Sequence, residues 1–498
     1  MQEFIKKNYF VFFVLFSGIP LFFLPNVWDG VIFDYGLITE NLSGIKTFYK
    51  EIGSPFQLIF FYLVFFIKKI TFIPHEFLFD LFTIIVLILF SLEIKKYSII
   101  VFELDNKWGN LCAIFAITCP LWDSLIAINL GLYLFCFYLA LLGYRLFISK
   151  NLSIKIIGII IILMSFSIKS NFSFIIGLTL AHNLILFLNK QIVNKYSLLF
   201  ILFLSTFSYL IDINFFPPYG MFEGYNQVTL KNLDFFALVK NVYNYSTFFV
   251  FYLWIPIFYL LILKFKGQNI KFSSLFEKKD IINYFAILII FATSIAPYLL
   301  TNKSNDLLFF TEYMDRHAFL LPLSFGIFFT ILFKKINDIS HLRKIHLLFL
   351  VLFLLQNLSI LSIAYYTKIE SALFRYDFVE QLKKIEKLPG GNVQIISSHM
   401  PGYLRHYEVS FLFFKAYGQA SWWGEVITDK KIRENVKPGE WILKRDDYKT
   451  QLVLDDYYQR CSIVIQLTNE IDKFDRILKF YILNFRDYFK IKVLKTVC

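Results

Sequence analysis

Apolar residues come along this chain in long unbroken runs, not in the alternation of a half-buried strand or the one-sided stripe of a soluble helix. Such runs are membrane spans when they approach the roughly 20 residues that carry a helix across about 30 Å of hydrocarbon. Eleven qualify as candidates, near 8–26, 74–94, 108–122, 130–149, 153–168, 171–189, 196–212, 246–263, 281–299, 317–333 and 345–365. A further stretch, Gln57 to Ile67, is too short to span and is closed by Lys68 and Lys69. It is predicted to lie on the membrane surface, as a helix within a first outer loop at 27–73. The polar pattern changes once: positions 1–366 hold 48 charged residues, and the much shorter segment 367–498 holds 39. In that second segment Val393-Gln394-Ile395-Ile396, Glu440 to Leu443 and Ser462 to Leu467 read as strands, and a Lys/Asp-rich helical pattern follows from Asn469. The expected architecture is a polytopic α-helical membrane body over 1–366 and a small C-terminal α/β domain over 367–498.

Composition agrees and charge gives direction. The chain is 57% hydrophobic and 17% charged, with a mean hydropathy of +0.59, which excludes a soluble globular protein, a disordered chain and a disulfide scaffold. The net charge of +13 in a soluble protein would suggest nucleic acid. Here it reads as a cytoplasmic excess of Lys and Arg, concentrated in loops such as the one with Lys264, Lys266, Lys271, Lys278 and Lys279. The first run follows Lys6 and Lys7 and lacks a small-residue cleavage site, so it is predicted to be an uncleaved signal anchor with the N-terminus in the cytoplasm. An odd number of spans then sends the tail to the outer side. The pair of runs from 153 to 189, bracketed by Lys155 and Lys169, decides this, because a single span there would leave the tail cytoplasmic. Cys112, Cys119 and Cys136 fall in apolar runs, whereas Cys461 and Cys498 lie in the tail, where spacing allows a disulfide without requiring one.

Three groups of polar residues are candidates for chemistry. The first outer loop carries Asp29, Asp34 and Glu40 close to the membrane surface, where a carboxylate of raised pKa can act as general base toward a hydroxyl. Arg316 and His317 precede the tenth span; Arg316 either holds a lipid phosphate or snorkels beside Asp315 and Glu312. Lys303, Arg405, His406 and Lys415 are further phosphate candidates, and Trp422 and Trp423 beside Glu425 are a sugar-stacking surface, an interfacial belt or core. His182, inside a span, reads as a hydrogen-bonded packing residue before it reads as a proton path. No zinc spacing, phosphate-gripping glycine loop, G-x-S-x-G or mid-span carboxylate cluster occurs, and no metal is expected.

An N-in first span, the acidic Trp28-Asp29-Gly30 loop with Glu40, the Gly53-Ser54-Pro55-Phe56 start of a surface helix, about eleven spans, Arg316-His317 before a Leu-Pro helix and an outer C-terminal domain together resemble the GT-C superfamily of membrane glycosyltransferases. Within it the chain looks most like the serotype-converting O-antigen glucosyltransferases of temperate phages. The resemblance implies an inverting transferase of the bacterial inner membrane that takes a sugar, glucose by analogy, from undecaprenyl-phosphate-sugar. The acceptor would be lipid-linked O-antigen of lipopolysaccharide at the periplasmic face, with no cofactor beyond the donor. It assigns the base to Asp29 or Glu40, with Asp34 third. Many members have two adjacent acids where this chain has Asp29-Gly30. The competing readings are an O-antigen polymerase or flippase, and a polytopic transporter. The first usually has arginine-rich outer loops, but the outer loop 213–245 offers only Lys231 and Lys240 as basic residues. The second calls for intramembrane charge pairs.

Overall fold

The computed structural model describes residues 49–73, 75–126, 130–191, 195–219, 235–268, 277–301, 318–339 and 342–385, four strands of the tail, and a few further positions that include 412, 413 and 415–417. After a 3-10 turn at Pro55–Gln57 the helices are α1 (Leu58–Thr71), α2 (His75–Val101), α3 (Asn106–Ile117), α4 (Leu130–Phe147), α5 (Leu152–Ser165) and α6 (Ser170–Leu188). Then come α7 (Lys195–Phe215), α8 (Phe235–Tyr252), α9 (Trp254–Phe265), α10 (Lys278–Leu300), α11 (Leu321–Ile339) and α12 (Arg343–Lys383). Among the described residues seven stretches are long and apolar enough to cross a membrane: Phe77–Val101, Leu130–Phe147, Ser170–Leu188, Tyr196–Phe215, Val239–Phe265, Lys278–Leu300 and Arg343–Tyr366. The chain is therefore a polytopic helical membrane protein. Its outer helices display apolar side chains that water would penalise, such as Phe203 and Leu199, both 63% exposed on α7.

Two of the predicted runs are interrupted, each for a visible reason. The run near 108–122 becomes the 12-residue α3, capped by the Asp105 carboxylate on the Trp108 amide, and a 3-10 stretch at Pro120–Ile126. Almost all of α3 is buried, so it is apolar on every side because other helices surround it. The run near 246–263 bends at Leu253, because Pro256 has no N–H for the carbonyl of Tyr252 and the helix restarts at Trp254.

Side-chain contacts give the helix directions. Along α2 and α3, Ser98 hydrogen-bonds Cys112 while Phe90 meets Trp122, so the two are antiparallel. Along α2 and α4, Thr83 abuts Gly131 and Glu93 pairs with Arg145, so these are parallel. Helix α5 runs back along α4, with Gly143 against Gly158 and the Cys136 sulfur 3.1 Å from the Ser167 hydroxyl. Helix α6 then returns parallel to α4: Asn171 donates to the Cys136 carbonyl, and further along His182 Nδ1 lies 3.0 Å from Tyr144 Oη. The segment 153–189 is thus two antiparallel helices joined by a turn, not one span. The α4–α5 crossing is so close that a Cβ on Gly158 would lie 2.6 Å from the Phe147 amide nitrogen.

These directions gather the helix ends into two sets. At one end lie 52–57, Trp122, Tyr133, 167–173, 296–301 and Tyr365, whose hydroxyl donates to the Trp122 carbonyl at 3.4 Å. The other end is laced by charge. Glu93 holds Arg145 and Lys96, Lys279 reaches Glu103 at 2.6 Å, and Lys335 sits 2.9 Å from both Glu277 and Asp280. Between them the core is largely aromatic, with Phe325, Phe329 and Phe353 in successive ring contact at 4.6 and 4.7 Å.

Helix α12 continues without a break through the composition change near 366, to Lys383. The tail holds β1 (Gly391–Ile396), β2 (Trp422–Ile427), β3 (Ser462–Thr468) and β4 (Lys490–Val497) in the order β2-β1-β3-β4. Strand β1 is parallel to both β2 and β3, and β4 runs antiparallel on β3 with Ser462 opposite Val497. The predicted strands at 393–396 and 462–467 fall within β1 and β3, while Glu440 to Leu443 and the pattern from Asn469 to 489 lie outside the described residues. The run pattern did not single out β2 or β4. Strand β4 is an edge strand that carries Lys490, Lys492 and Lys495, a composition that discourages pairing with another chain.

Candidate functional site

At the end of the bundle that gathers 52–57 and 296–301 there is a cavity of about 440 Å³. It lies between the start of α1, the α5–α6 turn, α7 and the last turn of α10. Its position follows from local sequence. Gly53 adopts φ +75, and a Cβ there would collide with the Phe216 carbonyl, so only glycine lets this turn close on the end of α7. The Tyr219 amide donates to the Glu51 carbonyl at 2.9 Å, and the Phe56 and Phe216 rings meet at 5.6 Å, completing a clasp between the two segments. Gln57 is buried and donates through Nε2 to the Ser167 carbonyl at 3.2 Å, which ties the clasp to the α5–α6 turn. On the far wall Pro297 leaves the Thr293 carbonyl without its helical donor, and Ser173 of α6 fills the gap at 2.8 Å. Gly177 permits that approach, because a Cβ there would collide with the Thr293 hydroxyl.

The polar lining includes Ser54, Ser167, Ser170, Ser205, Thr206 and Thr301 around one cation, Lys169. Its ammonium pairs with Asp212 of α7 at 2.8 Å, both side chains being largely shielded from solvent. The hydroxyls of Ser170 and Ser205 are buried and have no hydrogen-bond partner among the described residues. Next to the cavity, burial holds the Glu51 carboxyl above the ordinary carboxylate range, and its Oε2 also lacks a partner among the described residues. Among the described residues no three His, Cys, Asp or Glu side chains gather as a metal site would need. His182 has the tyrosine partner already described.

Of the residues singled out from the sequence, Asp29, Asp34, Glu40, Lys303, Arg316, His317, Arg405 and His406 lie outside the described residues. Lys415 is half-buried in a short helical segment whose Phe413 ring stands 6.1 Å from Phe378 of α12. Trp422 and Trp423 open β2 at successive positions, which belong to opposite faces of a sheet. What sequence reasoning missed is the set Glu51, Lys169, Ser205 and Asp212. Lys169 entered only as a bracket of an apolar run, although an acid at the end of such a run, Asp212, calls for a cationic partner. Comparison of the sequence with protein-family models and with curated proteins finds no match.

Proposed function

We propose that the protein is a GT-C-type membrane glycosyltransferase. It transfers a sugar, glucose in the nearest analogy, from undecaprenyl-phosphate-sugar to a lipid-linked O-antigen or related surface glycan. The reaction takes place at the periplasmic face of the inner membrane, with the N-terminus cytoplasmic and the tail periplasmic. The observation that carries the reading is where two chain segments enter the fold. The segment with Asp29, Asp34 and Glu40 joins the described chain just before the clasp at 49–54, and the segment with Lys303 and Arg316 leaves it at Thr301. Both junctions are on the rim of the same cavity, to which Ser54 and Thr301 contribute.

The chemistry requires those residue types. The acceptor oxygen attacks the anomeric carbon, the bond from that carbon to the phosphate oxygen breaks with its electron pair going to the phosphate, and a carboxylate takes the acceptor proton. Cations stabilise the phosphate as its charge grows. Asp29 or Glu40 serves as base, with Asp34 the third candidate, and Arg316, His317 and Lys303 are assigned to the phosphate. In the tail, Arg405, His406 and Lys415 are further phosphate candidates, and Trp422 and Trp423 offer a surface for stacking on a sugar. The two antiparallel helices at 153–189 support an odd span count, on which a periplasmic tail depends.

Membranes from cells that make the lipid-phosphate donor, with O-antigen analysed by mass spectrometry, test the proposal. Asp29→Asn or Glu40→Gln is expected to abolish sugar addition at unchanged membrane levels of the protein. Full transfer by both variants would remove the catalytic assignment, and identical O-antigen with and without the wild-type protein would remove the function.

A further inference from the structure

We infer that the cavity beneath the clasp is a binding site for a phosphate-ester headgroup, held by Lys169, the N-terminus of α6 and the hydroxyls of Ser170 and Ser205. This deepens the proposed function by giving its donor phosphate a seat among the described residues, in addition to the side chains assigned to it above. Four observations meet there. Helix α6 is 19 residues long, starts at Ser170 on the cavity wall, and has neither a side-chain cap nor an acidic residue in its first turn. The Asn171 and Phe172 amides already donate to the Ile168 and Lys169 carbonyls at 3.0 and 3.2 Å, so this N-terminus offers an anion the partial positive charge of the helix. Lys169 immediately precedes it and lines the same space. An ammonium has three donors, and the carboxylate of Asp212 at 2.8 Å uses one of them, leaving others for a second acceptor.

The fourth observation makes this a built site. Ser170 and Ser205 come from different helices, are 5% and 1% exposed, line the cavity, and have hydroxyls without a partner among the described residues. A buried hydroxyl left unpaired is costly, and an acceptor-only ligand with several oxygens removes that cost for both at once. A phosphate ester is such a ligand. The remaining walls suit an ester: Ile52, Ile168, Phe172, Ile176 and Leu300 are apolar. The volume, about 440 Å³, lies in the range of small-molecule sites and exceeds what bare phosphate needs. Helix α7, which supplies Ser205 and Thr206, turns exposed apolar residues such as Phe203 and Phe207 outward, so a headgroup carried on a lipid chain has an apolar surface alongside. Asp212 is the resting counter-ion of Lys169, not a ligand of the phosphate.

The full chain in a phosphate-free maltoside detergent tests this by calorimetric titration with farnesyl phosphate, inorganic phosphate and farnesol. Farnesyl phosphate is expected to bind saturably, and farnesol, which lacks the charge, is not. Lys169→Gln should weaken binding of farnesyl phosphate by about tenfold, the loss of one charge-assisted contact. Asp212→Asn should bind at least as tightly as wild type. Ser205→Ala, which leaves the ion pair intact, should weaken binding a few-fold at an unchanged melting temperature, so the test survives if the lysine variant fails to fold. Competition by inorganic phosphate identifies a site that also takes free phosphate, and its absence identifies a lipid headgroup site; both support the inference. Wild-type affinity in Lys169→Gln and Ser205→Ala, or equal binding of farnesol, overturns it. Because the readout is binding, a chain that binds farnesyl phosphate but transfers no sugar loses the glycosyltransferase reading alone. A chain that transfers sugar with Lys169→Gln at full rate loses this inference alone.

Discussion

Single residues at the cavity decide whether it can exist. Gly177 is the sharpest case, because a methyl group there runs into the Thr293 side chain just where Ser173 satisfies the carbonyl freed by Pro297. Gly177→Ala is expected to lower the melting temperature of the purified protein, at a cost of about 1–3 kcal/mol typical of overpacking; an unchanged melting curve would show that the two helices separate freely. Glu51 gives a pH signature. Its carboxyl is raised above the ordinary value of 4.5 by burial, so the folded chain keeps a proton there that the unfolded chain has lost. The resulting stability is complete below about pH 4.5 and disappears as pH rises through the raised value. Wild type should therefore lose thermal stability relative to Glu51→Gln as pH climbs from 4 to 7, and parallel melting curves across that range would assign the carboxyl an ordinary pKa.

At the scale of elements, glycines again set distances. The backbones of α4 and α5 touch through Gly143 and Gly158, so Gly158→Leu should split the pair and leave Tyr144 and His182 to report it by faster amide exchange in α4 and α6. Equal exchange in the variant would show that the crossing tolerates a side chain. Much of this level was legible in the run pattern, because a span must be long and apolar whatever it packs against. The short apolar stretch Gln57 to Ile67 closes the 3-10 turn and then forms most of α1, with Phe61 and Val64 turned in and Ile59, Leu63 and Phe66 turned out. What the pattern could not show is where apolarity comes from. Helix α3 is apolar because it is surrounded, and 246–263 bends because one proline lacks a donor. The cavity was hidden for another reason: Ser170, Ser205, Lys169 and Asp212 lie on three segments and meet only through helix directions that no local pattern encodes. In the tail, the antiparallel pairing of β3 and β4, with Ser462 opposite Val497, likewise joins segments that are far apart in sequence.

For the molecule as a whole, the grouping of helix ends means that one face holds the cavity and its hydroxyls and the other holds the ion pairs of Glu93, Glu103 and Lys335. A periplasmic reporter fused after Cys498 should be active and a cytoplasmic one silent. The reverse result would move the cavity to the cytoplasmic face and with it any donor that the cell presents there. Helix α12 joins the two halves of the chain as one rigid rod. Its 41 residues measure about 61 Å, roughly twice the hydrocarbon thickness, and continue past Tyr366, where the membrane-length apolar stretch ends. Strand β4 packs on this helix, and Phe413 meets its Phe378. The rod therefore works as a gauge of height and azimuth for the sheet. Adding two residues just after Tyr366, ahead of the buried Leu373 and Phe374, would swing the tail by more than half a turn, whereas adding seven would restore its bearing and merely raise it, a difference that activity or cross-linking between tail and body would read directly.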